Sequence, residues 1–113
     1  MKVTQSTLLS SSQAAEAKKL GAALARLRIA RGGKQDQAAL RAGLSRNTAY
    51  RLEKGDPGIA MGQVLRYLEA IVPGKTLLEL LSETDPALAA LSAKEQRRRA
   101  RDLSKRELEE IDF

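Results

Sequence analysis

The sequence predicts an all-α protein, and three observations carry that expectation. Hydrophobic residues make up 42% of the 113 residues but aromatics only 3%, so the core has to be built from Leu and Ala, which favour helices over strands. Apolar positions recur at spacings of three and four, and strand-like alternation is missing. Glycine and proline punctuate the chain at 32–33, 43, 55–58 and 73–74, cutting it into short helical lengths.

Taken in order, residues 1–13 are polar and read as a flexible arm, with Ser10 and Gln13 at capping-box spacing for a helix start near Ser10–Ser12. From Ala14 the pattern is helical: Leu20, Leu24, Leu27, Arg28 and Arg31 follow one face, and Gly32-Gly33 ends it. A short helix over 35–42 carries Ala38, Ala39 and Ala42 on one side. Gly43-Leu44-Ser45 forms a tight turn, and Ser45 is a good N-cap for the helix that runs to Lys54-Gly55. "GDPG" at 55–58 is a loop; a helix over 61–71 follows, with Val64, Leu65, Leu68 and Ile71 inward. After "PGK" at 73–75, Leu77, Leu78, Leu80 and Leu81 make a last short apolar helix, closing a domain of residues 14–82. Residues 83–113 form a charged extension, helical or partly flexible. Asp85-Pro86 opens it, and two S-x-x-E boxes predict two short helices joined near Asp102.

Charge is unevenly distributed. Residues 18–54 hold ten Lys or Arg against two acids, a net +8, whereas 55–93 carry −3. Residues 94–106 return to +5, and 107–113 hold four acids. A basic block of this strength points to a polyanion. The chain has neither Cys nor His, which excludes a disulfide framework, thiolate or imidazole metal ligation and His-based catalysis; no metal, cofactor or catalytic residue is expected. No stretch has the length of a membrane span and no signal peptide opens the chain, so a cytoplasmic protein is expected.

On a helix over 45–54, Arg46, Asn47, Tyr50, Arg51 and Lys54 fall within an arc of roughly 140°, with Thr48, Ala49 and Leu52 opposite. The preceding helix, the small Ala39, Gly43 in a left-handed turn and Leu44 at the corner complete the geometry of a helix-turn-helix. A helix with this outward face suits the DNA major groove, where arginine pairs with guanine and asparagine with adenine. Ser45 at the helix start leaves backbone donors for a phosphate, and Lys34 can add a second phosphate contact.

The stretch "LARLRIARGGKQDQAALRAGLSRNTAYRLEKG", 24–55, resembles the Cro/cI-type (XRE) helix-turn-helix regulators, whose pattern Gln35, Ala39, Ala42, Gly43, Leu44, Ser45, Arg51, Leu52, Glu53 and Gly55 supply. The resemblance spans roughly 20–81. It implies a five-helix lambda-repressor-like domain that acts as a dimer on double-stranded DNA at a pseudo-palindromic operator. It further implies that Gln35 touches the DNA backbone, that Arg46, Asn47 and Arg51 reach base edges, and that Thr48 and Tyr50 bond phosphate or a base. Arg28 and Glu53 would be the family's buried ion pair. Gly33 and Lys34 depart from the family, which there has an apolar residue and a capping Ser, Thr or Asn. Asp36 in the first turn partly compensates. Ala38 stands where a leucine is common.

Two functions follow: a dimeric repressor of its own operon, or the antitoxin of a toxin–antitoxin pair, similar to HipB-like proteins, which binds its toxin and represses the shared operon. An RNA adaptor would need stacking aromatics, and only Tyr50, Tyr67 and Phe113 exist. The apolar 61–81 helices, with the extension, are the expected dimer surface.

Overall fold

The computed structural model describes residues 4–82 and 86–111, the last five for their backbone alone. Among them are seven helices and no strand. Helix α1 (Gln5–Leu8) is a single turn. Helix α2 (Ser11–Ala30) starts at the expected Ser10–Ser12 cap, so residues 11–13, grouped with the arm, belong to the helix. The reason is local: Gln13 N–H donates to Ser10 Oγ at 3.2 Å and Ser10 N–H to Gln13 Oε1 at 3.0 Å, satisfying two amides that the helix start leaves open. Of the arm expected over 1–13, residues 1–3 lie outside the described residues.

Helix α3 (Gln35–Ala42) ends at Gly43, whose φ of 70° is left-handed, and Leu44 N–H returns to Ala39 O at 2.9 Å. Helix α4 (Arg46–Glu53) starts under Ser45, which accepts from Thr48 N–H at 3.0 Å. Helix α5 (Met61–Ile71) and the short α6 (Leu77–Leu81), capped by Thr76, complete the domain.

The core is aliphatic apart from one ring. Leu24 and Leu27 of α2, Ala38, Ala39 and Ala42 of α3, Ala49 and Leu52 of α4, and Val64, Tyr67 and Leu68 of α5 are buried together, with Val72 and Leu80 closing it. The alanines of α3 let it pack closely on α4 and α5. One expected core position is corrected: Leu65 is exposed, while Tyr67 is fully buried; Leu78 and Leu81 of the apolar α6 are exposed too. On α5 the apolar arc runs through 64, 67, 68 and 71, and Leu65 falls at its edge. Tyr67 can enter because its hydroxyl finds a buried acceptor in Glu53. Arg31, placed on the α2 face from spacing, is instead the exposed C-cap.

Helix α7 (Pro86–Ile111) is one helix where two were expected. No glycine or proline interrupts it after Pro86, and Asp102 stands four residues from both Arg98 and Arg106, a spacing that supports a helix. Asp85 lies outside the described residues, as do the side chains of the apolar, acidic end from Glu107. The first part of α7 docks on α2, with Leu88 packed against the core, and Leu88, Ala89 and Ser92 line a pocket together with Ala23, Arg26 and Leu80. There Arg26 pairs with Glu95 and donates to Ser92 Oγ at 3.1 Å. Beyond Glu95 every described side chain is exposed, and the molecule is 65 Å long but only 32 Å and 26 Å across.

Candidate nucleic-acid interface

Helix α4 divides cleanly. Ala49 is 0% and Leu52 3% exposed, so the inward stripe is dry. Arg46, Asn47, Tyr50 and Lys54 are exposed, and Arg51 is half-buried at the same face. Lys54 Nζ stands 5.4 Å from the centre of the Tyr50 ring, a cation–π contact that holds both long side chains outside the domain. Thr48 is half-buried, and its hydroxyl accepts from Ser45 Oγ at 2.8 Å. Lys34 is exposed at the start of α3, where it caps nothing with its side chain. Asp36 Oδ1 accepts from Gln37 N–H at 2.9 Å and so supplies part of the missing cap.

Behind this face lies a buried polar knot. Arg28 binds Glu53 through two bonds, Nε to Oε2 at 2.7 Å and Nη2 to Oε1 at 3.0 Å. Tyr67 OH donates to Glu53 Oε2, and Gln35 Nε2 donates to Oε1 at 3.0 Å. Arg28 Nη1 also reaches the Gly33 carbonyl at 2.9 Å, so this glycine is gripped by its backbone. One carboxylate thus joins α2, α3, α4 and α5. Burial alone would raise the Glu53 pKa, but the bonds from Arg28, Tyr67 and Gln35 outweigh it and hold it below the ordinary value. The bond to Glu53 raises Arg28, and burial together with that carboxylate raises Tyr67. Gln35, expected at the DNA backbone, has its amide nitrogen turned inward onto Glu53.

Sequence reasoning missed two residues here. Tyr67 has no signature in the sequence, where it is a tyrosine among leucines. The GDPG motif marks Asp56 only as loop punctuation, yet its Oδ2 accepts from Arg51 Nε at 2.7 Å. Its Oδ1 accepts from Gly58 N–H at 2.8 Å, and these two bonds lower its pKa.

A second basic surface runs along α7. Lys94, Arg98, Arg101 and Lys105 recur at steps of four, three and four, which places them within an arc of roughly 60°. All four are exposed. Consecutive arginines at 97, 98 and 99 spread around the helix, but every third or fourth cation lines up.

A short capped helix presented over a glycine turn, with an apolar back and a basic, hydrogen-bonding front, defines a helix-turn-helix domain, a class that sets such a helix in the major groove of DNA. The chain belongs to the helix-turn-helix domain family: the family model of that description matches residues 19–80, more than half of its length. No curated protein and no solved structure matches it. Among the described residues no helix is long and apolar enough to cross a membrane, and no group of acidic, His or Cys side chains is gathered to hold a metal.

Proposed function

We propose that the protein is a sequence-specific transcriptional regulator of the Cro/cI type, a cytoplasmic dimer that represses its own operon from a pseudo-palindromic operator. The observation that carries this reading is the outward face of α4, set over the most basic part of the chain. In it, Arg46, Asn47 and Arg51 read base edges, and Thr48, Tyr50 and Lys54 work at the groove wall. Ser45 and Lys34 meet phosphate. Gln35, its side chain engaged by Glu53, contributes the backbone N–H that the first position of α3 leaves without a helical partner. The stripe on α7 adds phosphate contacts outside the groove. A dimer is supported by the exposed Leu78 and Leu81 of α6, beside a groove lined by Leu9, Leu20, Leu80 and Leu81.

Footprinting on the DNA upstream of the protein's own gene, with sedimentation in parallel, tests the proposal. A protected, two-fold symmetric site bound by a dimer is the expected result. Protection without sequence preference, or a monomer that saturates the site, overturns it.

One observation favours a second reading, the antitoxin. Helix α7 continues well beyond the domain it docks on and exposes Leu103, a form suited to a protein partner. A co-transcribed neighbouring gene whose product forms a complex with the full chain, and not with a chain ending at residue 82, would favour it over the simple repressor.

A further inference from the structure

We infer that Asp56 is a positioning residue for base recognition: from the loop behind α4 it holds Arg51 so that the guanidinium offers its two terminal nitrogens, as a preset pair of donors, to one base pair. This deepens the DNA reading proposed above and rests on it.

Arg51 lies in the last turn of α4, and on its own would sweep a wide cone of rotamers. It does not do so here. Its Nε donates to Asp56 Oδ2 at 2.7 Å, and the carboxylate is itself held, because Oδ1 accepts the Gly58 amide at 2.8 Å. Gly58 is part of the device. A Cβ at that position would stand 3.2 Å from Asp56 Oδ1 and 3.5 Å from Arg51 Nη2, so this loop residue lies directly beside both groups. The loop written "GDPG" therefore works as a rest for an arginine.

The chemistry of the guanidinium decides what the rest achieves. Arginine carries five N–H donors, one on Nε and four on the terminal nitrogens. With Nε given to Asp56, the end-on edge made of Nη1 and Nη2 remains. Guanine presents O6 and N7 side by side in the major groove, the acceptor pair that such an edge fits. The ordering cost of the side chain is met on folding and not on binding. The carboxylate also repels phosphate, which turns Arg51 away from backbone contacts that any sequence supplies. Arg51 thereby contributes discrimination more than bulk affinity.

The test uses the full chain with Asp56→Asn, Asp56→Ala and Arg51→Ala, each checked for folding by circular dichroism. Randomised duplexes are selected at one salt concentration, and affinities are then measured for the selected site, its single-base variants and an unrelated duplex. The wild type is expected to select a site, and Arg51→Ala to lose preference at one base pair by about tenfold or more. Both Asp56 variants should lose preference at that same pair while binding the unrelated duplex as well as or better than wild type. Adding either to Arg51→Ala should cost nothing further. Asp56 variants that keep the wild-type preference overturn the inference and leave the DNA reading standing. So does an equal loss at every position, which a merely structural role would give. A wild type with no sequence preference sinks the DNA reading, and this inference with it.

Discussion

Gly21 and Gly55 meet backbone to backbone where α2 crosses the end of α4: a Cβ built on Gly21 would stand 2.5 Å from Gly55 N, and one on Gly55 would stand 2.4 Å from Lys18 Cα. Gly55 also holds φ at +79°. The recognition helix is thus seated by two absent side chains, and the atoms that crowd the space are backbone, which cannot swing aside. Gly21→Ala and Gly55→Ala are each expected to destabilise the fold by about 2–4 kcal/mol, the second also through its left-handed backbone. Chemical denaturation measures both. Unchanged midpoints would mean the two helices sit further apart.

Glu53 carries a heavier load. It is buried, and three donors from three other helices converge on it. Glu53→Ala strands Arg28 and Tyr67 and is expected to cost roughly 3–5 kcal/mol. Tyr67→Phe keeps the ring and removes one donor, and should cost about 1–2 kcal/mol. A thermal melt of Glu53→Ala that superimposes on wild type would contradict the knot.

The same groups set the pH range. The Glu53 pKa is lowered from an ordinary 4.5, so its ionised form stabilises the fold above that value, and the contribution is lost as pH falls through the lowered one. The Tyr67 pKa is raised from an ordinary 10.0, so its neutral form stabilises the fold below that pH, and the contribution is lost as pH rises further. With no histidine in the chain, melting temperature should be flat from about pH 6 to 9 and fall on either side. A step near pH 6.5 would be inconsistent with these assignments.

Binding to DNA should weaken steeply with salt. The basic block offers on the order of 5–8 phosphate contacts per protomer, each worth close to one unit of slope in log K against log salt. Lys34→Ala should weaken binding to every sequence alike, whereas Arg46→Ala should relax preference at one base pair by roughly 1–3 kcal/mol. Titrations at several salt concentrations separate the two, and a flat salt response would rule out the polyanion partner.

A chain ending at residue 82 should still fold, since all the buried residues of the core precede that point. It removes Leu88 from beside the core and deprives Arg26 of Glu95, so a small loss of stability is expected, together with a shallower salt slope from the missing α7 stripe. Full affinity, an unchanged oligomer and an unchanged slope would leave α7 without a part in DNA binding.

What was legible in the sequence was what local chemistry decides. Gly43, Ser45 and the alanines of α3 announce a glycine turn, a capped helix and a close crossing without help from distant residues. The division of α4 into wet and dry faces followed from the same periodicity. Positions whose role depends on a tertiary partner were not legible. Tyr67 is core only because Glu53 accepts its hydroxyl, and Asp56 matters only because Arg51 bends back to it. Which leucines of α6 face inward was not legible either, because a five-residue helix can bury one side, and apolar identity alone does not say which.

The two tyrosines of the described helices have opposite surroundings, and the chain has no tryptophan. Tyr67 is sealed in the interior with its hydroxyl on a carboxylate, an acceptor that quenches phenol emission, while Tyr50 is 52% exposed on the outer face of α4. The protein therefore carries its own pair of optical reporters. Unfolding releases Tyr67 from its quencher and brightens the emission, whereas a bound polyanion stacks on or shields Tyr50 and dims it. Unfolding and ligand occupancy move the intrinsic ultraviolet signal in opposite directions, so both can be followed in an unlabelled sample.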